Sequence, residues 1–187
     1  KKGTHMSRFL DVLNEETAEP ITPERIPAIT RAIKTRLDAD HAHFECEFTY
    51  FIKKAAPVSG RVGLMDCRVR FECTSNRVDD FIMTVMAPAT SLCPCSKEIS
   101  AYGAHNHRCH IEADLRFKRM LWIEHLVRMR EQSASTQVFA VLKRPDEKWV
   151  TEKAYENPKF VEDIVRDLAV ALDGEPRIRS YRISSEN

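Results

Sequence analysis

Three stretches of strict two-residue alternation set the kind of fold open to this chain. Residues 43–52, HFECEFTYFI, put Phe44, Cys46, Phe48, Tyr50 and Ile52 on one side. Residues 62–73 do the same with Met65, Cys67, Val69 and Phe71, and residues 108–117 with Cys109, Ile111, Ala113, Leu115 and Phe117. Successive side chains of a strand point to opposite faces, so each stretch predicts a strand buried on one side and solvated on the other. Pro57, Ser59 and Gly60 mark a turn between the first two. Residues 79–90 read as a third strand, 108–117 as a fourth and 177–183 as a last one. Strands half-buried in this way belong to antiparallel sheets with one face covered.

The covering layer is predicted from helical periodicity. Thr22 as N-cap and Pro23 at the first position open a helix with Ile26, Ile29, Ile33 and Leu37 on one face. A second helix is expected around 121–131 with Trp122, Leu126 and Met129 inward. A third starts at Asn157 and Pro158, buries Val161, Ile164, Val165, Leu168 and Leu172, and ends at Gly174. Val138–Leu142 suits a strand or a buried helical segment, and residues 143–158, KRPDEKWVTEKAYENP, read as a polar, turn-rich connection. The fold class is therefore α+β, antiparallel sheets with helices packed on one face. The sequence has no Gly-rich phosphate loop and no internal repeat.

Composition narrows the function classes. With 187 residues, 43% hydrophobic and 30% charged, the chain has the make-up of a globular protein. A formal net charge of +1 gives no overall field toward nucleic acid or anionic membranes, and the apolar runs are too short to span one. A cytoplasmic protein is expected, with no nucleic-acid or membrane partner. Its six cysteines then point to metal binding, catalysis or burial and not to disulfides. Cys46, Cys67, Cys73 and Cys109 lie on strand alternations and are expected to be core thiols. The opening KKGTHMSRF lacks an initiator methionine, as expected of a piece of something longer.

The reactive chemistry is concentrated in residues 90–107, TSLCPCSKEISAYGAHNH. Pro94 suits the first position of a helix, which makes Cys93 its N-cap and puts Cys95 in the first turn, both near the positive helix end that favours thiolate. The helix is expected to run to Tyr102, with Gly103 as its left-handed exit and His105 and His107 just beyond. A thiolate and an imidazole brought together in this way suit zinc and other borderline ions. A redox pair or a simply buried pair fits the spacing as well, although CxC is not the thioredoxin spacing.

SLCPCSKEIS followed by YGAHN resembles the signature of the prokaryotic type IB GTP cyclohydrolases. KGTHMSRF at 2–9, KKAAPVSG at 53–60 and KRPDEKWVTEKAYENPKFVEDIVRD at 143–167 are similar to the same family, so the likeness runs along nearly the whole chain. The resemblance implies an enzyme that hydrolyses GTP at guanine C8 to 7,8-dihydroneopterin triphosphate and formate, the first step of tetrahydrofolate biosynthesis. It implies one divalent metal per site (Zn, Mn or Fe) held by Cys93, His105 and Glu147, with Cys95 and His105 catalytic and Glu162 anchoring the purine. Glu147 would otherwise be read as a solvated charge, and Asp163 as a solvated neighbour of Glu162. Lys2, Arg8, Lys97, Lys143, Arg144 and Lys148 are the cations open to the triphosphate. His107 stands where glutamine is expected, as a surface substitution or an extra proton carrier. The fold implied is the tunnelling fold, closed into a barrel in a homotetramer. The chain would form one catalytic region over 1–187, or two tandem halves of that fold, with family segments beyond both termini. The alternative is a non-catalytic metal- or purine-binding module of the same fold.

Overall fold

In the computed structural model, which describes residues 6–16 and 18–186, the alternating stretches become long strands. They are β1 (Ala42–Ala55), β2 (Val62–Ser75), β3 (Asp79–Leu92) and β4 (Asn106–Phe117), followed late in the chain by β5 (Ile178–Glu186). The five form one antiparallel sheet in the order β1-β2-β3-β4-β5. Around them are α1 (Met6–Glu16), α2 (Ile26–Arg36), α3 (Pro94–Ile99), α4 (Ile123–Ser133), α5 (Arg144–Glu156) and α6 (Val161–Asp173). The α+β class thus stands as read, and no helix among the described residues is long and apolar enough to cross a membrane.

The described residues divide into two compact units, one drawn from positions up to 48 and 70–84, the other from 49–69 and 85 onward. In the first, α1 packs on α2, and Arg25 ties them by donating to the Glu16 carboxylate at 3.1 Å. Ile26, Ile29 and Ile33 are buried in its core, as are Phe44 and Phe71. The Phe71 ring meets Phe48 edge-on at 5.1 Å. In the second unit α6 packs against α4 and β5, burying Ile164, Leu168 and Leu172. There β5 pairs with β4 from His110↔Glu186 to Phe117↔Ile178, with a register shift at Arg116/Phe117. Cys67, Cys73 and Cys109 are buried as expected, and Cys46 is half-buried.

Several local readings are corrected. Helix α2 begins at Ile26, because Thr22–Arg25 form a turn closed by Arg25 N–H donating to Thr22 O at 3.0 Å. Proline 27 explains the delay: a helix starting at Pro23 would need its missing N–H, whereas at the start of α2 no donor is required. Trp122 is the N-cap of α4 and 66% exposed, since the helix buries the face through Ile123, Leu126, Val127 and Arg130. Val138–Leu142 is irregular, and the connection expected at 143–158 holds the 13-residue helix α5. Asn157 caps the end of α5, so α6 starts later, with Phe160 as its N-cap and Gly174 closing it at φ −74°. At Gly174 no left-handed exit is used.

Candidate active site

The cysteine motif starts where β3 runs out. Cys93 is the N-cap of α3 with extended backbone (φ −67°, ψ 118°), and Pro94 takes the first helical position. Helix α3 is six residues long and stops at Ile99, short of the expected Tyr102; Gly103 keeps a positive φ of 130° in the loop beyond.

Ser96 gathers the motif. Its N–H donates to Cys93 Sγ at 3.4 Å, and its hydroxyl donates to Cys93 O at 3.0 Å. The same hydroxyl oxygen accepts from the His105 N–H at 3.1 Å, while the Cys93 N–H donates to His105 O at 3.1 Å. The backbones of Cys93 and His105 are therefore bonded side by side, with Ser96 fastening both. The cap geometry also acts on the thiol: the Ser96 N–H holds Cys93 below the usual thiol range by stabilising the thiolate. Cys95 is exposed in the first turn of α3.

Both histidines are exposed, and they touch each other. His107 Nε2 lies 2.9 Å from His105 Nδ1, the rings edge-on with centroids 4.8 Å apart. One of these nitrogens donates to the other, so the pair has a shared proton and His105 keeps its Nε2 unengaged by that bond.

Glu147 lies in the first turn of α5 with its side chain exposed. Among the described residues no three of His, Cys, Asp and Glu are gathered closely enough to hold a metal ion. The structure thus joins Cys93 to His105 and leaves Glu147 apart from a three-donor cluster. The two residues joined through their backbones carry a low-pKa thiol and an imidazole, donors of the type that takes zinc and other borderline metals, and both are open to solvent on at least one side.

Glu162 is exposed near the start of α6, whose lead-in is laced to the end of β3. Lys159 N–H donates to Leu92 O at 3.0 Å, and Ser91 Oγ donates to Lys159 O at 3.2 Å. The first turn of α6 is in this way anchored to the residue preceding Cys93. Asp163 is engaged locally: it accepts from Phe160 N–H at 3.2 Å and from Arg166 at 2.7 Å, leaving Glu162 as the carboxylate of that turn with no partner among the described residues.

A cleft of about 430 Å³ adjoins the motif, walled by Leu92, Gly103 and Asn106 on one side and Thr151, Glu152 and Tyr155 of α5 on the other. Lys97 spans from α3 to α5, its Nζ donating to Tyr155 O at 2.6 Å and lying 4.3 Å from the centre of that ring. Lys148 is paired with Glu152 at 2.9 Å. Of the cations expected for a triphosphate, Arg8, Lys143 and Arg144 are exposed, and Lys2 lies outside the described residues. A second cleft of about 380 Å³, lined by Lys54, Cys67, Glu124 and Glu131, contains none of the motif residues.

Two residues that hold the site in shape were not singled out in the sequence. Ser96 follows the N-cap by three positions, where a side chain returning to the cap is common, so CPCS carries a signal for it. Asp146 occupies the corresponding position of α5 and accepts from the Lys143 N–H at 2.8 Å.

A family model described as type I GTP cyclohydrolase folE2 matches residues 1–187. Among curated proteins, the chain is similar to the GTP cyclohydrolase FolE2 of Magnetococcus marinus, 54% identical over 187 residues, covering all of this chain and 70% of that protein. It is 52% identical to the GTP cyclohydrolase FolE2 of Methylobacillus flagellatus over 187 residues, with the same coverage of 100% and 70%. With that of Syntrophobacter fumaroxidans it shares 50% over 188 residues, covering 100% of this chain and 73% of the relative.

Proposed function

The chain belongs to the type I GTP cyclohydrolase FolE2 family and is a GTP cyclohydrolase, and we propose that it opens the guanine ring of GTP at C8 to give 7,8-dihydroneopterin triphosphate and formate, as the first step of tetrahydrofolate biosynthesis. The observation that carries the reading at the level of residues is the knot around Ser96, which holds the backbone of Cys93, a thiol of lowered pKa, against that of His105.

Cys93, His105 and Glu147 would hold one divalent metal, zinc, manganese or iron. What they would gain from it is Lewis acidity, which would make a water nucleophilic at neutral pH. The chain's own groups do the rest. Glu162, neither of whose carboxylate oxygens is engaged among the described residues, accepts in parallel from the guanine N1–H and exocyclic amine and fixes the base. Cys95, exposed one residue beyond Pro94, is placed to give or take a proton as the ring opens, and His105 shares that task through its bond to His107. The paired histidines favour the proton-carrying role for His107 over a plain surface substitution.

The tunnelling fold and a homotetramer of cytoplasmic subunits complete the proposal. Support comes from the sheet itself: β1 and β5 are its end strands, each with one edge unpaired within the sheet, and copies that close into a barrel would pair such edges. Sedimentation of the protein is expected to give the mass of four chains.

The test of the activity is direct. Protein loaded with divalent metal is incubated with GTP, and formate is measured together with a product that fluoresces after oxidation to a pterin. Both are expected. Metal and GTP bound with no formate released would favour a non-catalytic metal- or purine-binding module instead.

A further inference from the structure

Helices α5 and α6 both carry an aspartate three positions after the N-cap, and the two behave differently. Asp163 of α6 is an ordinary cap, its side chain 39% exposed and shared between Phe160 N–H and Arg166. Asp146 of α5 is completely buried. Its Oδ1 accepts from the N–H groups of Val58 and Ser59, both at 2.8 Å. Its Oδ2 accepts from Ser59 Oγ at 2.6 Å and from Lys143 N–H at 2.8 Å. One carboxylate thus spends three of its four bonds on the turn between β1 and β2, a segment more than 80 positions away in sequence. Capping alone needs only the bond to Lys143.

The approach to α5 is fitted to the same hairpin. A Cβ added at Gly63, just after the turn, would lie 3.0 Å from both Ala140 Cβ and Val141 Cγ2, so residues 140 and 141 rest directly against the backbone of β2. The turn is itself closed by Ala56 N–H donating to Arg61 O at 2.9 Å and by Gly60 at φ 66°. The first turn of α5 is thereby held from two sides, with Glu147 next in line after the buried carboxylate.

We infer that Asp146 is a positioning residue for the metal ligand Glu147: gripping the β1–β2 turn, it fixes the first turn of α5 and so the direction in which the neighbouring carboxylate is presented. The inference rests on the reading of Glu147 as a ligand. Asp146 is not itself one, because both of its oxygens are already committed to protein donors. Ser59 belongs to the same device, since its hydroxyl and N–H supply two of the four bonds.

The experiment measures metal affinity by competition with a chromogenic chelator, alongside GTP turnover and thermal midpoint, for the wild type and four variants. Asp146→Asn and Ser59→Ala are expected to weaken zinc or manganese binding about 10- to 100-fold, the range for groups that orient a metal ligand, with turnover restored toward wild type by excess metal. Ile111→Val, in the buried face of β4, lowers the midpoint and is expected to leave metal affinity unchanged, which separates positioning from general loss of stability. Glu147→Gln tests the underlying reading. If it binds metal like the wild type, Glu147 is not a ligand and the role of Asp146 falls with it. If Glu147→Gln loses metal while Ser59→Ala and Asp146→Asn keep wild-type affinity, Asp146 serves the fold alone. Ser59→Ala, which removes one hydroxyl, carries the test should Asp146→Asn fail to fold.

Discussion

Replacing Arg130 by methionine should make the protein more stable. Arg130 lies on the inward face of α4, only 2% exposed, and its Nε, Nη1 and Nη2 have no hydrogen-bond partner among the described residues. Burial strips the guanidinium of its hydration and draws its pKa from the ordinary arginine range down to about 10, against partial relief from Cys67, Glu112 and Asp114. At 1.36 kcal/mol per unit of pKa, that change corresponds to a penalty of about 3 kcal/mol for keeping the charge inside. The sign follows from linkage. A base whose folded pKa is lowered costs stability at every pH below the folded value, and the cost is relieved only as pH rises from about 10 toward the ordinary arginine range. At neutral pH the full penalty stands. Arg130→Met retains most of the volume and removes the charge, so a gain of about 1–4 kcal/mol is expected. For a chain of this size that raises the thermal midpoint by about 2–4 °C per kcal/mol. Urea unfolding at pH 7 with an unchanged m-value measures it. A loss of 3 kcal/mol or more would refute the reasoning, because it would mean that the guanidinium is partnered in solution and that the methionine breaks that pairing.

Three further outcomes follow from the site and its surroundings. Cys93→Ala removes the thiolate donor and the acceptor for Ser96 N–H; bound metal measured after desalting, and formate release from GTP, are both expected to fall to background. Glu162→Gln keeps the size but offers only one acceptor to the base, and loss of a charge-assisted bond of about 1.5–3 kcal/mol should lower kcat/KM for GTP roughly 10- to 150-fold with metal content unchanged. Glu175 accepts three bonds from Arg177, two from the guanidinium at 2.7 and 2.6 Å and one from the backbone N–H at 3.1 Å, and these hold its carboxyl down at about 2. An acid with a lowered folded pKa stabilises above its unfolded value and loses that contribution as pH falls, here from 4.5 toward about 2, so Glu175→Gln should flatten the pH dependence of the thermal midpoint across that window alone.

What could be read in the sequence was whatever rests on apolar burial. The alternations at 43–52, 62–73 and 108–117 name the buried face of each strand correctly, because only one register puts Phe71, Cys73, Ile111 and Leu115 inside. The stripe Ile164, Leu168, Leu172 likewise marks α6. Prolines were harder to place. Pro94 marks the start of α3 as expected, but Pro23 and Pro158 precede their helices, which begin three residues further on. A proline shows where an N–H is not needed, and turns and helix starts satisfy that equally.

The failure at α5 has a different cause, and it bears on how the site is built. Of its 13 residues only Asp146 and Ala154 are buried, so it has no apolar stripe to detect. Its position is set by polar contacts: the Asp146 carboxylate on the β1–β2 turn, Lys97 from α3 against Tyr155, and the Asn157 amide donating to the Ala134 and Ser135 carbonyls, both at 3.1 Å. Such contacts have no sequence period, since each depends on a partner far away in the chain. Yet they surround the segment that carries Glu147. A buried carboxylate with four directed bonds fixes the orientation of the first turn through the geometry of its donors. A helix anchored in this way needs no apolar stripe, and for that reason α5 escapes a reading based on hydrophobic pattern; were Glu147 the ligand proposed above, such an anchor would also hold its carboxylate at a defined angle.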